Sequence, residues 1–168
     1  MQFTKGLSLV ASAFVFAACG GSSDSAPAAE TTPAPAAEAA APAPAAGGAV
    51  TIAPVTGTTY EVKMIGDEKG YRFEPANLTV KTGDAVKFTF VSGGPHNVAF
   101  DGSALAANVK AQLDANFGAQ RMAELSSNMY MAAGDNITIS FANIPAGSYP
   151  FNCTPHLAMG MKGVITVQ

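Results

Sequence analysis

From residue 50 to the C-terminus the chain is a succession of short runs in which apolar and polar residues alternate, cut apart by Gly, Pro and Asp. Tyr60-Glu61-Val62-Lys63-Met64, Val86-Lys87-Phe88-Thr89-Phe90 and Ile137-Thr138-Ile139-Ser140-Phe141 show the pattern plainly. Leu78-Thr79-Val80, Tyr149 to Cys153 and Val164-Ile165-Thr166-Val167 repeat it, with Lys81-Thr82-Gly83-Asp84 marking a turn between two of the runs. A period of two sends successive side chains to opposite faces of a strand. Strands this short and this closely spaced bury their apolar faces by packing sheet against sheet, which predicts an all-β sandwich. Residues 103–117 depart from the pattern. Leu105, Val109, Leu113 and Phe117 recur at four-residue spacing, Ser103 is placed to cap the start and Gly118 the end, and the spacing predicts one helix inserted between strands.

The first fifty residues are of another kind. Lys5 followed by the apolar stretch from Gly6 to Ala18 has the form of a secretory leader and is too short to span a bilayer comfortably. It ends Phe16-Ala17-Ala18-Cys19-Gly20, which resembles a bacterial lipobox, in which a cysteine after small residues is lipidated and becomes the mature N-terminus. An ordinary cleavage site with an incidental cysteine is the plainer alternative, and either one exports the protein. From residue 20 to 49 the chain is Ala, Pro, Ser, Gly and Thr with three scattered acids. Repeated Ala-Pro steps exclude helix and favour extended polyproline II, and at ~3.1 Å per residue this spacer reaches on the order of 90 Å when stretched. The expected organisation is therefore a leader over 1–18, a lipidated Cys19 with a linker over 19–49, and one domain over 50–168. Such a protein is lipid-anchored in a bacterial periplasm or at the cell surface.

Cys19 and Cys153 are the only cysteines, and His96 and His156 the only histidines. A disulfide would tie the leader region to the last pair of strands, whereas each cysteine has a local explanation of its own. Cys153-Thr154-Pro155-His156 brings a thiol and an imidazole to one tight loop, and Met159 and Met161 follow within it. One thiolate, two imidazoles and a weak thioether describe a type 1 copper site. The thiolate bonds copper covalently, imidazoles suit both oxidation states, and the soft methionine favours Cu(I). The second imidazole falls to His96, in Gly94-Pro95-His96-Asn97-Val98, because no other histidine remains.

These motifs, in this order, resemble the small blue copper proteins of the cupredoxin family, close to plastocyanin and amicyanin. The similarity rests on Phe-x-Pro-x-x-Leu-x-Val-x-x-Gly-Asp from Phe73 to Asp84, Pro-His-Asn-Val from Pro95 to Val98, and Gly-x-Tyr-x-Phe-x-Cys-x-Pro-His from Gly147 to His156. It implies a Greek-key sandwich of about eight strands with one copper near one end. Met159 has the spacing of amicyanin and Met161 that of plastocyanin. In the family the axial ligand precedes x-Gly and the closing strand, which Met161-Lys162-Gly163-Val164 matches, so Met161 is the expected ligand beside His96, Cys153 and His156. The resemblance also implies that Asn97 ties the two ligand loops together. Pro95 and Pro155 stiffen the loops carrying the histidines. Leu157, Ala158 and Met159 are then an apolar rim where a redox partner docks.

A carrier of single electrons is the function these features favour, with a copper chaperone or store as the alternative, since Met122, Met129 and Met131 supply further soft donors. Core packing around the helix is the plainer reading of those methionines. A copper enzyme needs further histidines for a second metal centre, and both are already assigned. From residue 50 on, nine acidic and eight basic side chains nearly cancel and form no basic run, which argues against nucleic acid as a partner. The expected partners are a membrane cytochrome, an oxidase or a photosynthetic reaction centre, met transiently by a monomer. The stretch after Asp101 is alanine-rich and lacks the acidic cluster through which plastocyanin also docks.

Overall fold

The computed structural model describes residues 50–168. The leader, Cys19 and the linker lie outside the described residues. Ten strands form two sheets. The smaller sheet runs β2 (Gly70–Glu74), β1 (Thr59–Asp67), β4 (Ala85–Phe90) and β8 (Asn136–Ser140). The larger runs β3 (Asn77–Val80), β10 (Lys162–Val167), β9 (Gly147–Asn152), β5 (Ala99–Phe100), β7 (Ser126–Ser127) and β6 (Arg121–Ala123). β1 with β4 and β3 with β10 are parallel, and the other pairings are antiparallel. The sandwich is as expected, and the count exceeds eight because β5, β6 and β7 are fragments of two or three residues.

Alternation decides the core. Val62 and Met64 of β1, Phe88 and Phe90 of β4, Ile137 and Ile139 of β8, Tyr149 and Phe151 of β9, and Ile165 and Val167 of β10 all turn inward. Phe151 is the hub: its ring lies 4.7 Å from Phe73, 5.3 Å from Phe88 and 5.7 Å from Phe100, edge-on or tilted to each. Such offset contacts add to the area the rings remove from water.

At the turn between β3 and β4, Asp84 is buried, and its carboxylate accepts the N–H groups of Thr58 and Lys81, both at 2.8 Å. Those bonds hold its carboxyl below the usual range against the opposing effect of burial.

The helix, α1 (Ala107–Ala115), is shorter than the predicted span. Ala106 stands at its N-terminus without a side-chain cap, and Ser103 instead takes part in a turn in which its N–H donates to Asp101 Oδ1 at 2.9 Å. Leu113 and Phe117 are buried and Leu105 and Val109 half-buried, so the four-residue spacing did mark the inward face. Asn116, just past the helix, is buried and bonds in both directions: Oδ1 accepts from Ala53 N–H at 3.0 Å, while Nδ2 donates to the Ser140 carbonyl at 2.8 Å. That one side chain pins the segment before β1 and the end of β8 to the helix.

The methionines depart from the expected core packing. Met122, Met129 and Met131 are 56, 37 and 70 % exposed. Met122 lies on the edge strand β6, all of whose residues are exposed, and Met129 and Met131 flank the buried Tyr130 on an irregular segment.

Candidate metal centre

Three loops at one end of the sandwich meet. His96 follows β4, and its backbone pairs with Tyr130, His96 N–H donating to the Tyr130 carbonyl at 3.1 Å and Tyr130 N–H to the His96 carbonyl at 2.8 Å. Beneath it Gly93 and Gly66 pack backbone on backbone; a Cβ on Gly93 would fall 2.3 Å from Gly66 Cα, so a side chain there would push the loop away. Cys153 follows β9 directly. The residues from it to Met161 form a closed loop, in which Cys153 N–H donates to the Met161 carbonyl at 3.1 Å and Met161 N–H to the His156 carbonyl at 3.2 Å. A 3-10 turn over Thr154–Met159 fills the loop, with Pro155 in its first turn and Gly160 left-handed at its end (φ 83°).

This folding brings His96, Cys153 and His156 together, with one donor atom from each within 4.8 Å of the others. Cys153 Sγ is 3.5 Å from His96 Nδ1 and 3.4 Å from His156 Nδ1, and the two nitrogens are 3.2 Å apart. A triangle of those sides holds one ion about 2 Å from each corner, the length of a first-row metal bond to imidazole or thiolate. Burial distinguishes the methionines: Met161 is 0 % exposed and turns directly into β10, whereas Met159 is 62 % exposed. Leu157 and Ala158 are also on the surface beside the nearly buried His156.

The surroundings set the donors' chemistry. Burial lowers the pKa of both imidazoles, so at neutral pH they are uncharged and offer lone pairs. For His96 the Ser92 carbonyl, 2.9 Å from Nε2, opposes that shift and fixes the tautomer that leaves Nδ1 facing the cysteine. Burial raises the Cys153 thiol, and backbone hydrogen bonding at Asn97 and His156 opposes the shift. Binding of a metal to this sulfur displaces the proton. Asn97, 1 % exposed, joins two loops: Oδ1 accepts from Thr154 N–H at 2.7 Å, and Nδ2 donates to Thr154 Oγ1 at 3.2 Å and Ser126 Oγ at 3.1 Å.

One neighbour was not anticipated from the sequence. The ring of Tyr71 in β2 stacks on His156, with centroids 3.7 Å apart and planes 13° from parallel. The signal was the alternation of Tyr71 with the core residue Phe73, which puts both on the inner face of β2.

Borderline and soft donors with no carboxylate among them suit copper and not a hard cation. Residues 60–168 match the model of copper binding proteins of the plastocyanin/azurin family. The chain belongs to that family. It is 37 % identical over 121 residues to a plastocyanin of Nostoc punctiforme, covering 71 % of this chain and 81 % of that one. A plastocyanin of Prochlorothrix hollandica is 33 % identical over 119 residues, covering 71 % and 80 %. Among solved structures, oxidized plastocyanin from Dryopteris crassirhizoma superposes with a TM-score of 0.50 at 34 % identity, covering 64 % of this chain and 99 % of that one. The chain is thus a plastocyanin-like blue copper protein that binds one copper and carries electrons between redox partners; it is not an enzyme.

Proposed function

We propose that His96, Cys153, His156 and Met161 hold the copper, with Met161 as the axial ligand, and that the domain works on an exported, lipid-anchored tether. The observation that carries the ligand assignment is the triangle of Sγ and two Nδ1 atoms with sides of 3.2 to 3.5 Å. Copper, when bound, supplies one-electron Cu(II)/Cu(I) chemistry. The protein's part is to keep its donors in nearly one arrangement whichever charge they face. Asn97 does so by tying the Cys153 loop to the Ser126 strand, Ser92 by fixing the His96 ring, and Pro95 and Pro155 by stiffening the flanking backbone.

The His156 side is the exit for the electron, because His156 is the donor backed by the exposed apolar rim of Leu157, Ala158 and Met159. Such a rim suits brief docking against the apolar face of a cytochrome, an oxidase or a photosynthetic reaction centre. Cys19, lipidated after removal of residues 1–18, and the linker over 19–49 bound how far the carrier reaches from its membrane.

The test is an absorption spectrum of the purified protein with Cu(II), beside Cys153→Ser. An intense visible thiolate-to-copper band in the parent and none in the variant is the expected result; a colourless parent refutes the assignment. For the anchor, full-length protein expressed in a bacterium should fractionate with membranes, and Cys19→Ser should release it to the soluble fraction.

A further inference from the structure

The two histidines of the cluster are held by different means. His96 is 0 % exposed, and its second ring nitrogen is bonded to the Ser92 carbonyl. That carbonyl is itself fixed, since it also accepts the Gly66 N–H at 2.8 Å, while Ser92 Oγ donates to the Gly66 carbonyl at 3.0 Å. His156 sits on the surface loop, and among the described residues no protein group bonds its second ring nitrogen. What it has is the Tyr71 ring flat against one face, at 3.7 Å and 13°. The His96 ring stands edge-on to it at 4.9 Å.

The stack depends on β1 as well. Tyr71 pairs across the β1–β2 ladder with Gly66. A Cβ on Gly66 would come 2.7 Å from Tyr71 Cε1, so the ring occupies space that any other residue at position 66 would contest. Gly66 thus serves both histidines: its backbone anchors Ser92 for His96, and its missing side chain admits Tyr71 to His156.

We propose that Tyr71 is the positioning residue for His156: its ring does for the outer histidine what the Ser92 carbonyl does for the inner one, and so slows the loss of copper. This rests on the assignment of His156 as a copper ligand. An imidazole on a surface loop without a hydrogen-bond anchor is the donor freest to rotate away, and its departure is the first step in releasing the metal. A stacked ring opposes that rotation through contact over its whole face, and it requires no hydroxyl to do so.

Copper release from the reduced, copper-loaded protein to an excess of a Cu(I) chelator, bathocuproine disulfonate, measures this directly. Tyr71→Leu, which keeps an apolar residue without a flat ring, should release copper about 2- to 10-fold faster, the range of an aromatic pair's added contribution. Tyr71→Phe should release it at the parent's rate. Proton NMR of the metal-free forms supplies a second readout. His156 ring protons should be displaced by the tyrosine's ring current in the parent and in Tyr71→Phe, and should move toward ordinary imidazole positions in Tyr71→Leu. Equal release rates for the parent and Tyr71→Leu would overturn the proposal, as would a Tyr71→Phe protein that loses copper as fast as Tyr71→Leu. A parent with no thiolate-to-copper band in its oxidised form would instead remove the ligand assignment beneath it, so the two failures are distinct.

Discussion

Met159 and Met161 are two residues apart in one loop and differ completely in burial, at 62 % and 0 % exposed. A thioether that tunes a metal must be dry and close to it, and burial favours the second. Met161→Gln is expected to shift the visible spectrum and lower the reduction potential, because a harder axial donor favours Cu(II). Met159→Gln should leave both nearly unchanged, and voltammetry of the pair checks it. Asp84 raises a different question at this scale. Its carboxyl is held below the ordinary range by two backbone N–H groups, so the folded state favours the ionised form more than the unfolded state does. The resulting stability is present above the unfolded carboxyl's pKa of about 4 and is lost as pH falls through the lower folded value. Asp84→Asn should therefore be less stable than the parent at pH 7 and lose less further stability on acidification. Urea midpoints of the metal-free proteins at several pH values measure both effects.

Among elements, β9 carries the most. Its inward alternation sets Tyr149 and Phe151 into the core and brings Cys153 to the end of the sandwich at the next inward position. Phe151→Ala removes the ring that Phe73, Phe88 and Phe100 surround, and should cost about 3–5 kcal/mol in denaturant unfolding of the metal-free protein. The strong alternation of β1, β4, β8 and β10 was legible because each run is long enough to show a period. β6 and β7 were not, since two or three residues such as Ser126-Ser127 hold no period, and they exist because neighbouring strands supply their hydrogen bonds. The helix shows the same division: its spacing located the buried face, but its start depended on local turn geometry at Asp101 and Ser103.

Across the whole molecule, charge and attachment bear on how partners are met. With nine acids and eight bases from residue 50 on, and the apolar Leu157, Ala158 and Met159 beside His156, long-range steering has little to act on. The second-order rate of electron transfer to a partner should therefore change little across ionic strength, in contrast to the steep fall of an electrostatically steered pair; stopped-flow mixing over a salt series tests this. The segment that enters the domain is pinned away from the metal cluster. Thr56 and Gly57 N–H groups donate to the Gly83 carbonyl, and Ala53 bonds Asn116, which also bonds Ser140 at the far end of β8. The chain thus enters at the end of the sandwich opposite the ligand loops and leaves the His156 rim uncovered by that segment.

By itself the sequence determined the sandwich and narrowed the candidate donors to a few residues. Period-two alternation is a local property of each run, and with only two histidines and one cysteine in the domain the choice of ligands was nearly forced. Tertiary structure decided what depends on distance between remote segments. It separated buried Met161 from exposed Met159, put Met122, Met129 and Met131 on the surface, and laid Tyr71 against His156 across 85 residues of chain. No residue type carries that information, because burial and stacking depend on what the other sheet and loops bring alongside.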